Sequence, residues 1–167
     1  KLGDGHFSMV AGDQYLEMHQ KNGIVDFYCS QEEFICYWVR YFDLDTDYEV
    51  YMNAANPRDK YLNAAIEAGD GIRILRQDLW EMIVTFLISQ QNNIVRIRRC
   101  IENICTRYGE EKIAANGTRY YAFPTPDRLA EATEEELREC NLGYRAKYVR
   151  TVAKQVADGE IQLEHLY

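Results

Sequence analysis

Two arginines at helix starts carry most of the chemistry this sequence offers. In Ser89-Gln90-Gln91-Asn92-Asn93, five uncharged amide or hydroxyl side chains stand in a row, and Arg96 follows as an amphipathic segment begins. Amide side chains make poor helix interiors and can present donors and acceptors outward. Arg96, and to a lesser extent Arg98, lie near a helix N-terminus, where the macrodipole disfavours positive charge by about 0.3–1 kcal/mol. Free backbone N–H groups beside an added arginine make an anion site. On this stretch alone, a polar bend followed by a solvated arginine face fits as well. About fifty residues on, Gly143-Tyr144-Arg145-Ala146-Lys147-Tyr148 crowds a second helix start with basic residues, this time behind an aromatic side chain. An isolated tyrosine reads first as core, so Tyr144 by itself decides nothing.

These residues need rigid elements behind them. Upstream of the amide run, Leu79, Trp80, Met82, Ile83, Val84, Phe86, Leu87 and Ile88 leave no polar face, which predicts a helix surrounded by protein. Asp78 with Glu81 reads as its capping box. Downstream, Ile94, Ile97, Ile101, Ile104 and Tyr108 form the buried stripe of a second helix. Arg96, Arg99, Asn103 and Arg107 occupy another face. In the last long helix, Val149, Val152, Ala153 and Val156 face inward, and Lys147, Arg150 and Lys154 make a basic stripe.

The remaining segments follow local rules. Residues 6–29 read as an antiparallel meander turning at Gly12-Asp13 and at Asn22-Gly23. Ser30 with Glu33 caps a helix carrying Phe34, Ile35, Trp38, Tyr41 and Phe42 on one face. An acidic stretch opens a second helix, and Pro57 starts a third that runs to about Ala68. Gly69-Asp70-Gly71 marks the best boundary. The segment EEKIAANGTRYYAF reads as loop with an Asn-Gly turn. Thr125 with Pro126, and Thr133 with Glu136, start two further helices, the second ending at Asn141-Leu142-Gly143.

Composition sets the outer limits. A net charge of −8 over 167 residues argues against a nucleic-acid partner, but the charge is uneven. Residues 1–70 hold 5 Lys/Arg against 13 Asp/Glu, a net −8, and residues 71–167 hold 14 against 14. Five scattered cysteines without a CxxC pair read as buried thiols of a reducing compartment. No metal-ligand spacing links His6, His19 and His165, and the spacing around Asp43–Glu49 lacks the glycine and terminal glutamate of a calcium loop, so neither a metal nor a cofactor is expected. The longest apolar run, Met82–Ile88, is too short to span a membrane.

SQQNNIVRI and LGYRAKY, taken with YFDLD, GIRILRQD and FPTPDRLA, resemble the 8-oxoguanine DNA glycosylases of the helix-hairpin-helix superfamily, along essentially the whole chain. The resemblance implies an α+β fold: a partial antiparallel N-terminal sheet domain with helices (residues 1–70) followed by a partial all-helical glycosylase domain (residues 71–167). It implies a base-excision-repair glycosylase and AP lyase acting on damaged double-stranded DNA, monomeric, cytoplasmic and associated with a bacterial nucleoid. Base excision from a duplex requires the nucleotide to be extruded at a cost of a few kcal/mol. By resemblance, Gln91 fills the vacated space, Arg96 and Arg145 donate to the orphaned cytosine, and Tyr144 wedges into the opposite strand. Asn92 and Asn93 then shape the turn, and nearby basic residues such as Lys147 meet phosphates.

This sequence departs from the family at two points. The family usually has asparagine where Gln91 stands, one methylene shorter. The family's glycine-rich hairpin with its lysine nucleophile and following aspartate has no match here, so no residue is assigned a catalytic role and the chain by itself is expected to be inactive. A start at Lys1 and an apolar pattern broken off at Tyr167 lead to the expectation that both ends are truncated. A non-catalytic DNA-binding module of the same fold is the alternative. An acidic protein-interaction domain is a third reading, which would not need the basic helix starts.

Overall fold

The computed structural model describes residues 3–166. By contacts, the chain forms two compact units: residues 1–28 with 77–167, and residues 29–76. The division by chain order at 70/71 differs from this grouping because the meander packs with the later helices.

In the first unit, β1 (His6–Ala11), β2 (Gln14–Lys21) and β3 (Ile24–Tyr28) form an antiparallel sheet in that order, with Ala11 opposite Gln14 and Lys21 opposite Ile24. The turns are those the glycines announce: Gly12, Asn22 and Gly23 all have positive φ. Helices α5 (Leu79–Ser89), α6 (Ile94–Tyr108), α7 (Pro126–Glu131), α8 (Glu134–Leu137) and α9 (Arg145–Ala157) follow. Their common core holds Trp80, Val84, Ile88, Cys100, Ile104, Leu129, Leu137, Leu142, Val149 and Ala153. Thr125 and Thr133 cap α7 and α8 as expected.

Residues 111–121 are not a plain loop. Strands β4 (Glu111–Ile113) and β5 (Arg119–Tyr121) pair antiparallel around Asn116-Gly117. Each strand is only three residues long, too short for alternation to register. This hairpin grips the β1–β2 turn: Lys112 pairs with Asp13 at 2.8 Å, and the Tyr120 hydroxyl donates to Asp13 O at 3.0 Å. The Phe123 amide donates to Gly12 O at 2.8 Å. Gly109 permits the approach, since a Cβ there would lie 2.1 Å from Ala122 O.

The same turn claims Glu81. Asp78 caps α5, accepting from the Glu81 amide at 2.9 Å, but the Glu81 carboxylate accepts from the Gly12 amide at 2.9 Å instead of closing a box. Burial pushes its pKa up against the opposing effect of the Gly12 bond. A raised folded-state pKa means the protonated form is favoured: that stability is complete below the ordinary value of about 4.3 and is lost as pH rises through the raised one. Glu81→Gln, whose amide oxygen still accepts from Gly12, is therefore expected to be at least as stable as wild type in urea at pH 7. Glu81→Ala, which leaves that amide unpaired, should lose about 1–3 kcal/mol. A destabilised Gln variant at pH 7 would show that the charge itself is required.

The second unit contains a continuous helical run: α1 (Gln31–Glu33), a π-helical stretch Phe34–Trp38, and α2 (Val39–Tyr41). Ser30 and Glu33 close a complete capping box, and Trp38 is fully buried among Tyr37, Tyr41 and Phe42. Asp43, 8% exposed, accepts from Thr46, Tyr48 and Arg76, and these bonds hold its carboxyl below the usual range. Asp43 thus ties the turn at Thr46 and Tyr48 to Arg76. Helices α3 (Tyr48–Asn53) and α4 (Lys60–Ala68) follow. Asp59, and not Pro57, starts α4, its carboxylate accepting from the Tyr61 and Leu62 amides.

Two apolar expectations change. In α5, Phe86 is 66% and Met82 44% exposed, and in α6 Ile94 is 70% exposed. The all-apolar helix thus has an uncovered side, and Ile94 sits at a terminus where the stripe has not yet turned inward. Cys36 is exposed, and Cys29 and Cys105 are half-buried; only Cys100 and Cys140 are buried. Burial pushes the Cys105 thiol up to about 12. No helix among the described residues is long and apolar enough to cross a membrane.

Candidate functional site

The bend between α5 and α6 is built by its own side chains. Ser89 Oγ donates to Phe86 O at 2.7 Å, Gln90 Nε2 to the same carbonyl at 3.3 Å, and Asn92 Nδ2 to Ile88 O at 3.0 Å. These satisfy carbonyls that the end of α5 leaves orphaned. Asn92 Oδ1 accepts from the Asn93 amide at 3.0 Å, and Asn93 Oδ1 caps α6 by accepting from the Arg96 amide at 3.0 Å. Among the described residues, Gln91 is the one member of the run whose side chain makes no hydrogen bond. Its backbone is left-handed, at φ 47°, and the residue is exposed. The run of five polar side chains thus resolves into four that shape the bend and one that projects.

The start of α9 meets this bend directly. Asn141 (φ 67°) and Gly143 (φ 59°, ψ −132°) turn the chain between the π-helical stretch Arg138–Leu142 and α9, and the Gly143 conformation is one that side chains exclude. Tyr144 is 51% exposed, so it is not core, and its hydroxyl donates to Gln90 O at 3.4 Å. Its ring stands edge-on to Tyr148, with centroids 6.5 Å apart. Arg145 is 4% exposed. Its Nε donates to Gln90 O at 2.8 Å, and its Nη2 donates to Gln90 O and, at 2.8 Å, to Gln91 O. The guanidinium also lies 4.6 Å from the Tyr144 ring centre, a favourable cation–π placement.

Gln91, Asn92, Asn93, Tyr144 and Arg145 therefore form one connected cluster. Arg96 lies on the first turn of α6, and it, Arg98 and Arg99 are all exposed. Arg96 and Cys100, four residues apart, share one face of α6, and the Cys100 thiol donates to Asn141 O in the turn that leads to Arg145. Lys147 is exposed on α9, and neither its side chain nor that of Arg96 makes a hydrogen bond or ion pair among the described residues. Other members of the anticipated basic faces are structural. Arg107 pairs with Glu139 at 2.6 Å, Asn103 donates to Cys140 O at 3.3 Å, and Arg150 donates to Ala132 O at 2.8 Å.

Sequence reading gave four residues no part in the site. Gln90 works through its carbonyl, which no side-chain pattern reveals. Asn141 and Gly143 supply the turn, for which Gly143 just before Tyr144 was a readable signal. Tyr148 packs on Tyr144 at the i+4 spacing, also readable.

Comparison with known proteins agrees along the chain. Residues 1–83 match the family model described as 8-oxoguanine DNA glycosylase, N-terminal domain, and residues 84–164 match that of the HhH-GPD superfamily base excision DNA repair protein. The N-glycosylase/DNA lyase of Saccharomyces cerevisiae is 33% identical over 154 residues, covering 88% of this chain and 40% of the yeast protein. The apo crystal structure of the 8-oxoguanine glycosylase/lyase of Clostridium acetobutylicum is 37% identical with a TM-score of 0.91, covering 99% of this chain and 57% of that one. The same enzyme in complex with double-stranded DNA containing cytosine opposite 8-oxoguanine matches with a TM-score of 0.89, at the same identity and coverage. The chain thus spans only about half the length of the proteins it resembles. With both family models accounting for nearly every residue and the α+β fold shared, the chain belongs to the 8-oxoguanine DNA glycosylase family of the HhH-GPD superfamily.

Proposed function

We propose that this chain forms the strand-distorting half of a base-excision site that removes 8-oxoguanine from duplex DNA opposite cytosine, with strand nicking at the abasic product. The observation that carries this reading is Gln91: a left-handed residue with an unbonded side chain, at the tip of a bend whose other side chains are all occupied, beside an exposed tyrosine. Such a tip can enter a duplex and fill the space of an extruded nucleotide, where a base must leave the stack for chemistry to occur. Tyr144 wedges between bases of the opposite strand. Arg96 and the remaining nitrogen of Arg145 donate to the acceptor edge of the widowed cytosine. Asn92 and Asn93 hold the bend, and Lys147 with Arg98 and Arg99 meets phosphates. The reacting lysine and aspartate belong to a hairpin that these residues do not contain.

The test is single-turnover excision by the full-length protein with each base placed opposite 8-oxoguanine. Tyr144→Ala should slow excision about tenfold or more with little change in melting temperature, because half of its surface is already in water. Arg96→Ala should narrow the preference for cytosine by about 1–3 kcal/mol, the worth of a good base-edge contact. An unchanged rate in the first variant and an unchanged preference in the second would refute the assignment.

A further inference from the structure

Arg145 is a buried cation with no carboxylate against it among the described residues. A buried charge requires compensation, and its own helix supplies none, because α9 presents its positive end there. Compensation comes from α5. Gln90 is the C-terminal cap of that helix, and its carbonyl, with that of Gln91, lies at the negative end of the α5 dipole. One carbonyl, Gln90 O, collects Arg145 Nε, Arg145 Nη2 and the Tyr144 hydroxyl. A second pair of ties runs from α6 to the lead-in of α9: Cys100 Sγ to Asn141 O and Asn103 Nδ2 to Cys140 O, each at 3.3 Å.

We infer that Arg145 is a positioning residue as well as a base reader. Its guanidinium is the C-terminal cap of α5 supplied by another helix, and it holds Gln91 in the left-handed conformation that projects the side chain. With Nε and Nη2 spent on the bend, only Nη1 is left to meet a base. Arg145 and Arg96 would then each reach one acceptor of cytosine in place of two forks competing for both. Loss of Arg145 acts twice, by removing one base contact and by releasing the residue that fills the stack.

This inference rests on the repair reading above, and one experiment separates the two. In the full-length protein, Arg145→Lys keeps the charge and an aliphatic stem, but its compact ammonium lacks the rigid planar span by which the guanidinium holds two carbonyls and still reaches outward. Arg145→Gln serves in its place should the lysine variant fail to fold. Amide hydrogen exchange is read at Asn92 and Arg96, both hydrogen-bonded within the bend, and opposite-base preference is measured alongside. Arg145→Lys is expected to speed exchange at both amides about tenfold or more and to reduce the preference for cytosine. Arg96→Ala should reduce the preference alone, leaving exchange unchanged. Unaltered exchange in Arg145→Lys, whatever its base preference, overturns the positioning role. Faster exchange with an intact preference in Arg145→Lys, where Arg96→Ala does lower the preference, overturns it as well. A preference untouched in both variants refutes the repair reading, while the exchange rates still report on the clamp.

Discussion

Borohydride reduction of this 167-residue chain mixed with a duplex holding 8-oxoguanine opposite cytosine is expected to trap no covalent protein–DNA adduct, where a glycosylase with a lysine nucleophile is trapped in high yield. Trapping needs an amine that is unprotonated near neutral pH, within reach of the sugar carbon. Lys112 is the opposite of that: its hydrogen bond to Asp13, with Glu110 close by, raises its pKa further. Lys147 and Lys154 lie exposed along α9. The comparison that gives the result meaning is a glycosylase with a lysine nucleophile under the same conditions, read as a mobility shift. An adduct from the 167-residue chain would mean that one of its six lysines is a nucleophile after all, and the site would have to be redrawn around it.

The second large effect is on folding. Trp80→Ala should cost about 3–5 kcal/mol, the usual range for truncating a buried aromatic side chain, which is a large share of the stability of an ordinary domain. Trp80 is 6% exposed, belongs to the core shared by α5, α6, α7 and α9, and donates its indole N–H to Pro124 O at 2.9 Å. Truncation thus opens a cavity and strands a buried carbonyl at once. Trp80→Phe keeps most of the volume and loses the donor, so it should fall between wild type and the alanine variant in a urea titration. Equal stability of Trp80→Phe and wild type would show that Pro124 O finds another partner.

Local rules were enough for much of this protein. Helix starts at Ser30, Asp78, Asn93, Thr125 and Thr133 are each announced by a side chain that can accept from an amide two or three residues ahead, and each of these caps is present. Glycine and asparagine mark the β1–β2 and β2–β3 turns because few other residues tolerate positive φ. The two motifs that carry the family resemblance were visible for a related reason: runs of amides and arginines at helix starts are costly locally, and so stand out against the apolar periodicity around them.

What the chain order could not settle was the use to which each polar group is put. Nothing local says that Glu81 turns away from its own helix to the Gly12 amide, 69 positions earlier. Nothing local says that Arg107 is bound to Glu139 while Arg96 stays exposed on the same helix. Arg145 is the clearest case, since its type and position announce a free cation at a helix start, yet it is buried against carbonyls 54 and 55 positions away. Local sequence determines which backbone conformations are cheap and which faces are apolar. Which donor meets which acceptor depends on what the tertiary packing brings within 3 Å, and that is where this protein's candidate site was decided.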